Sequence, residues 1–173
     1  MMPWKKQRLI SLSHKMDFVF EQILKNTYTI SQFNHRLRVL KIFLNDKLFD
    51  GSKPVELAIE DQNWLKSLPS EFFNQFNANN LLDIIQSIQQ KLSQSPTLIL
   101  NIAFSADDQS LSQIGEFVRK NFKSFTILDI KYNPGLISGC ALVWKGIYKD
   151  YSLKAGIEAK KEEVFAEFKK FLR

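Results

Sequence analysis

The sequence predicts an α+β protein, with an N-terminal helical bundle followed by a small mixed-sheet domain with packed helices. Three observations predict it. Apolar residues recur every three or four positions as far as residue 95, the period of a helix with one buried face. Beyond that point, short apolar runs stand between turn-forming residues and are too brief to be buried helices. Only 6 Gly and 5 Pro occur among 173 residues, of which 45% are apolar, so the chain has few tight turns and can bury a core.

The elements follow in order. From Trp4 to about Asn26, Leu9, Leu12, Met16, Val19, Phe20 and Ile23 fall on one face of a first helix. Thr29, three residues before Gln32, fits a capping box that opens a second helix to about Leu44, with Phe33, Leu37, Leu40 and Leu44 inward. Asn45 to Lys53 reads as a loop around Asp50-Gly51-Ser52. Pro54 can start a third helix carrying Val55, Ile59, Leu65 and Leu68 until Pro69 ends it. A short helical piece from Glu71 to Phe76 follows. Asn79 or Asn80 then caps a helix whose stripe is Leu81, Ile85, Ile88 and Leu92.

At Ser93 to Pro96 the pattern changes. Thr97 to Phe104 predicts a strand, and Ser105-Ala-Asp-Asp108 predicts a capping box for a helix with Leu111, Ile114, Val118 and Phe122 on one face. Gly115 inside it marks a close contact. Phe125 to Tyr132 predicts a second strand, Asn133-Pro134-Gly135-Leu136 a type II turn, and Ile137 to Trp144 a returning partner strand. Lys145-Gly146 makes a second tight turn to a strand over Ile147 to Asp150. Ser152 caps a last helix with Ile157, Val164, Phe165, Phe168 and Leu172 inward. The expected domains are therefore residues 1–95 and 96–173.

Charge is uneven along the chain, whose formal total is +6. Residues 1–50 hold nine Lys/Arg against four Asp/Glu, residues 51–95 three against five, and residues 96–173 twelve against nine. A basic N-terminal region can meet nucleic acid, anionic lipid or an acidic protein, or serve simply as a solvated face. Trp4, Lys5, Lys6 and Arg8 are too few to identify a nucleic-acid or membrane surface. Apolar runs stay shorter than a membrane span requires, and the broken start MMPWKKQRLISL is no secretory signal.

Few residues carry reactive chemistry. The single cysteine, Cys140, excludes an intrachain disulfide and suits a reducing compartment; in a strand after Gly139 it reads as a small buried side chain. His14 and His35 fall on different predicted helices with no metal-ligand spacing. Asp107-Asp108 suits a helix start and Glu162-Glu163 a mixed charged face, neither of them an acid-base pair. Neither GxxxxGK[ST] nor GxGxxG occurs, so no phosphate loop is expected. The residues predict no catalytic, cofactor or metal site.

One stretch carries more. Tyr132-Asn-Pro-Gly-Leu-Ile-Ser-Gly-Cys-Ala-Leu-Val-Trp-Lys-Gly-Ile-Tyr-Lys-Asp-Tyr-Ser152 resembles the signature of the delta subunit of F-type ATP synthases, the oligomycin-sensitivity-conferring protein family. That family has an Asp-Pro pair, a Leu-Ile-Gly-Gly core, a strand, a Gly, then Asp-x-Ser opening the last helix. Pro134, Leu136, Ile137, Gly139, Gly146, Asp150 and Ser152 match in register. Phe104-Ser105-Ala106 stands where the family often has a Ser-Ala step. Asn133 replaces the Asp, and Ser138 replaces the first Gly, so a left-handed backbone is not expected at Ser138. The resemblance spans Leu98 to Arg173. The N-terminal half lacks the family's Tyr-Ala-x-Ala-Leu motif and is similar only in helical character and overall length.

The resemblance implies a stator role without catalysis or cofactor. Delta caps the catalytic head and joins it to the peripheral stalk. Its N-terminal domain receives N-terminal helices of the head's alpha subunits, and its C-terminal domain receives C-terminal helices of the b subunits. No nucleic acid is involved, and the membrane is met only through the complex, on the cytoplasmic face of the bacterial plasma membrane. Leu9, Leu12, Phe18 and Phe20 on the first helix are the candidate head-docking residues, because docking into a groove needs a spare apolar strip. The contrasting expectation is a small basic nucleic-acid-binding regulator, using the N-terminal helices against phosphate.

Overall fold

Thr29 shows how local chemistry starts an element here. In the computed structural model, which describes residues 15–49, 56–122 and 126–171, the Thr29 hydroxyl accepts from the Gln32 backbone N–H at 3.1 Å. Gln32 Oε1 in turn accepts from the Thr29 N–H at 3.2 Å. This capping box opens α2, Ile30–Leu48. Before it, α1 occupies residues 15–24; after it come α3 (Ile59–Ser67), α4 (Ser70–Phe73) and α5 (Leu81–Gln94). Val19 and Ile23 of α1, Phe33, Leu40 and Leu44 of α2, Phe72 of α4 and Ile84 and Ile88 of α5 are shut from solvent and form the core. Phe20 packs against Phe33 at 5.4 Å between ring centres. An Asp17–Lys91 ion pair joins α1 to α5.

Several expectations are corrected in this half. The second helix continues through Asn45 to Leu48, with Lys47 in its last turn complementing the helix dipole, so the loop starts later. The third helix begins at Ile59: Glu60 and Asp61 occupy its first turn, where negative charge is favoured, and Ala58 is extended. Pro54 and Val55 lie outside the described residues. Ile59 is exposed, because the buried face of α3 is set by Trp64 and Leu65. The short helix is Ser70–Phe73.

The chain divides into two compact units, Met1–Ser95 and Pro96–Arg173. The second contains a four-stranded sheet in the order β2-β1-β3-β4. Its strands are β1 (Thr97–Ile102), β2 (Ile127–Tyr132), β3 (Cys140–Trp144) and β4 (Ile147–Asp150). α6 (Asp108–Asn121) connects β1 to β2, which run parallel, Leu98 opposite Leu128. Leu98 and Leu128 meet Val118 of α6, with Ile114, Phe122, Ile130, Leu142 and Trp144 packed around them. Gly115, inside α6, is buried. Asp107, rather than Ser105, caps α6: its carboxylate accepts from the Ser110 N–H at 2.8 Å.

Two larger corrections follow. β3 does not return beside β2; it pairs antiparallel with β1, Leu100 opposite Leu142, and so makes β1 central. The cause is the link between them. Gly135 lacks the positive φ of a type II turn. Instead Pro134–Leu136 form a 3-10 turn, with the Asn133 side chain accepting from the Gly135 N–H at 3.1 Å. Leu136 is buried there. The last helix is also two: α7 (Leu153–Ala159) packs against the 3-10 turn, and α8 (Lys161–Phe171) follows a break at Lys160. Ile157, Val164, Phe165 and Phe168 are exposed rather than inward, and Leu172 lies outside the described residues.

Candidate partner-binding surfaces

The signature residues come together as a clasp between the β2–β3 link and the start of α7. Ile137 has φ 67° and ψ −54°, and the Ser138 N–H donates to Leu136 O at 2.8 Å. This is a γ-turn with positive φ, a strained geometry and an unusual one for a β-branched residue. Gly139 follows at φ 82°, and a Cβ there would stand 2.5 Å from Tyr151 O and 3.2 Å from Ser152 Cα. Glycine is thus required for both backbone angle and space. Ser138 itself does not take positive φ, in agreement with the sequence.

The near approach lets two strands of hydrogen bonding close the clasp. Tyr151 N–H donates to Cys140 O at 2.8 Å, and Leu153 N–H donates to Ser138 O at 2.9 Å. The Ser152 hydroxyl accepts from the Ala155 N–H at 3.1 Å and caps α7. Asp150 accepts from the Ser152 N–H at 2.8 Å and from the Tyr148 hydroxyl at 2.9 Å. Hydrogen bonding from Ser152, then from Tyr148, holds the Asp150 carboxyl below its ordinary range and raises the Tyr148 phenol. Lys145 and Gly146, both at positive φ, form the two-residue β3–β4 turn.

Around this clasp the second unit leaves much apolar surface uncovered. Ile137 is 62% exposed, and Tyr151, Leu153 and Ile157 are exposed too. On α8, Val164 and Phe168 lie one turn apart along a shallow depression flanked by Lys160, Glu163 and Glu167, and Phe165, outside the depression, is exposed as well. Contiguous exposed apolar residues commonly mark interaction surfaces. Sequence periodicity found the α8 stripe but not its exposure, since a docking face and a core face have the same spacing.

In the first unit, an opening of about 360 Å³ beside the end of α1 is lined by Gln22, Lys25, Asn26, Trp64, Ser67 and Leu68. Arg36 supports its wall, stacking over Trp64 at 5.3 Å while its Nη1 donates to Asn26 O at 2.7 Å and Thr27 Oγ1 at 2.6 Å. Of the candidate docking residues, Phe18 is half-buried and Leu9 and Leu12 lie outside the described residues. Phe20 is 5% exposed: it is core, held by Phe33, and belongs to no spare strip.

Among the described residues no cluster of His, Cys, Asp and Glu could hold a metal ion, and no helix is long and apolar enough to cross a membrane. His35 Nε2 meets Asp61 Oδ1 at 2.8 Å, a link between α2 and α3. His14 lies outside the described residues. Cys140 is half-buried in β3. Asp107 and Asp108 start α6, while Glu162 and Glu163 are exposed in the first turn of α8. No model of a known protein family matches the chain, and no curated protein matches it in sequence.

Proposed function

We propose that this chain is a non-catalytic peripheral-stalk subunit of an F-type ATP synthase, of the delta type, which links the catalytic head to the membrane sector and so supports proton-driven ATP synthesis. The observation that carries the reading is the Asn133–Ser152 clasp. Each residue that resembles the delta signature has a separate physical task there: Pro134 in the turn, Leu136 buried beneath it, Ile137 and Gly139 in strained or crowded backbone, Gly146 in the hairpin, Asp150 and Ser152 at the helix start. That these positions cooperate in one device supports the reading.

The work of a linker also fits the surfaces. Resisting the rotor's torque needs no nucleophile or cofactor, only two attachments whose combined dissociation is slow. The α7–α8 surface, apolar and flanked by both charge signs, suits C-terminal helices of the b subunits. The cleft between α1 and α3, lined mainly by Gln22, Lys25, Asn26 and Ser67, suits an N-terminal helix of an alpha subunit. Under this reading the protein is peripheral, on the cytoplasmic face of a bacterial plasma membrane, and reaches the membrane only through the complex.

Affinity purification of the intact tagged chain from its native cells tests the assignment. Alpha and b subunits of the synthase should co-purify in stoichiometric amounts. Recovery of nucleic acid without synthase subunits would contradict it.

A further inference from the structure

Among the described residues β2 is one edge of the sheet, and its hydrogen-bonding phase is fixed by β1. Ile127 N–H donates to Pro96 O at 3.1 Å and Asn133 N–H donates to Ile102 O at 2.8 Å, at the two ends of a continuous parallel register. Alternation along the strand therefore turns the backbone groups of Asp129 and Lys131 inward as well. Those of Leu128, Ile130 and Tyr132 point to the open edge. An edge with this row of donors and acceptors is a template for another strand.

We infer that this edge pairs with β2 of a second copy of the chain, antiparallel and across a two-fold axis at Ile130. Two features select this register, the extent of its backbone pairing and its opposed charges. Ile130 faces its own counterpart as a hydrogen-bonded pair, and Leu128 then faces Tyr132 of the other copy in the same phase, so every outward group finds a partner. Asp129 falls opposite Lys131 of the other copy, in the non-hydrogen-bonded positions where side chains come closest. The charges are already suitably disposed: Asp129 and Lys131 share one face of the strand, 3.4 Å apart, with the Lys131 side chain 55% exposed. Shifting the axis to Leu128 or Tyr132 preserves the hydrogen-bonding phase but shortens the overlap and separates the charges.

A two-fold axis makes the contact isologous, so it closes at a dimer and does not grow into a fibre. The pairing is short, which makes it weak and reversible. This inference does not rest on the stator assignment, because it uses only β1, β2 and their register.

Sedimentation equilibrium of the intact chain tests it. The chain should dimerise with a dissociation constant on the order of 100 µM. Lys131→Asp, which sets like charges opposite each other twice, should weaken the dimer roughly tenfold, and the exchange Asp129→Lys with Lys131→Asp should restore it. Tyr132→Pro removes one outward N–H and none that bonds to β1, so it should abolish dimerisation while thermal unfolding stays cooperative. A single monomeric species up to about 1 mM, or a dimer indifferent to Lys131→Asp or Tyr132→Pro, would overturn the inference. So would failure of the charge exchange to restore it.

Discussion

Gly139 and Tyr151 approach so closely that a Cβ on Gly139 would stand 2.5 Å from the Tyr151 carbonyl oxygen. Neither group can move alone. The carbonyl belongs to the chain entering α7, while Gly139 is held by the γ-turn at Ile137 and by β3.

Gly139→Ala should therefore destabilise the protein by more than about 2 kcal/mol, combining positive φ with a backbone clash. Gly156→Ala is the control. It lies within α7 with nothing within 4 Å of an added Cβ, and should gain roughly 0.5–1 kcal/mol from helix propensity. Chemical denaturation of both variants measures the contrast.

Ile137→Gly should have the opposite sign from an ordinary large-to-small change. The side chain is 62% exposed, so little burial is lost, while its positive φ is relieved. A gain of about 1 kcal/mol is expected by thermal denaturation. Binding of the b subunit should weaken in the same variant, because exposed Ile137 adjoins the proposed stalk surface. Stability and attachment would then move in opposite directions.

The Asp150 carboxyl has its pKa lowered from an ordinary value of 3.8 by Ser152, foremost through its side chain, and also by Tyr148. A depressed carboxyl stabilises the fold above its unfolded pKa and loses that effect as pH falls through its folded value. Asp150→Asn should accordingly flatten the acid side of the stability profile below about pH 4 and leave its shape near neutrality unchanged. Ser152→Ala should cost about 1 kcal/mol through the lost helix cap. Melting temperatures across pH check both.

Phe165→Asp and Phe168→Asp should change stability by less than about 0.5 kcal/mol, since both rings are largely exposed. Each should nevertheless weaken capture of the b subunit at least tenfold in a titration, as expected of aromatic anchors.

What could be read from sequence was mostly local. Thr29 and Gln32 announce their capping box, Leu81, Ile85, Ile88 and Leu92 their helix face, and Ser152 its cap, because each depends on neighbours a few residues away. The partner of β3 does not. Pro134-Gly135 looks like a hairpin turn, and only the burial of Leu136 and the positive φ of Ile137 carry the chain on to pair with β1. The α8 stripe has a similar limit: Val164, Phe165 and Phe168 announce an amphipathic helix, but periodicity cannot say whether this chain or a partner covers it. Gly139 was legible as a signature residue, although its reason, the Tyr151 carbonyl, lies across the clasp.

The central claim is that two separate attachments reside in the two units of the chain. Fragments 1–95 and 96–173, each tagged and first checked for cooperative unfolding, should be exposed to the same native-cell lysate. The account predicts that the first retains the alpha subunit and the second the b subunit, with neither retaining both. Retention of both subunits by one folded fragment, or of neither by both folded fragments, would contradict it.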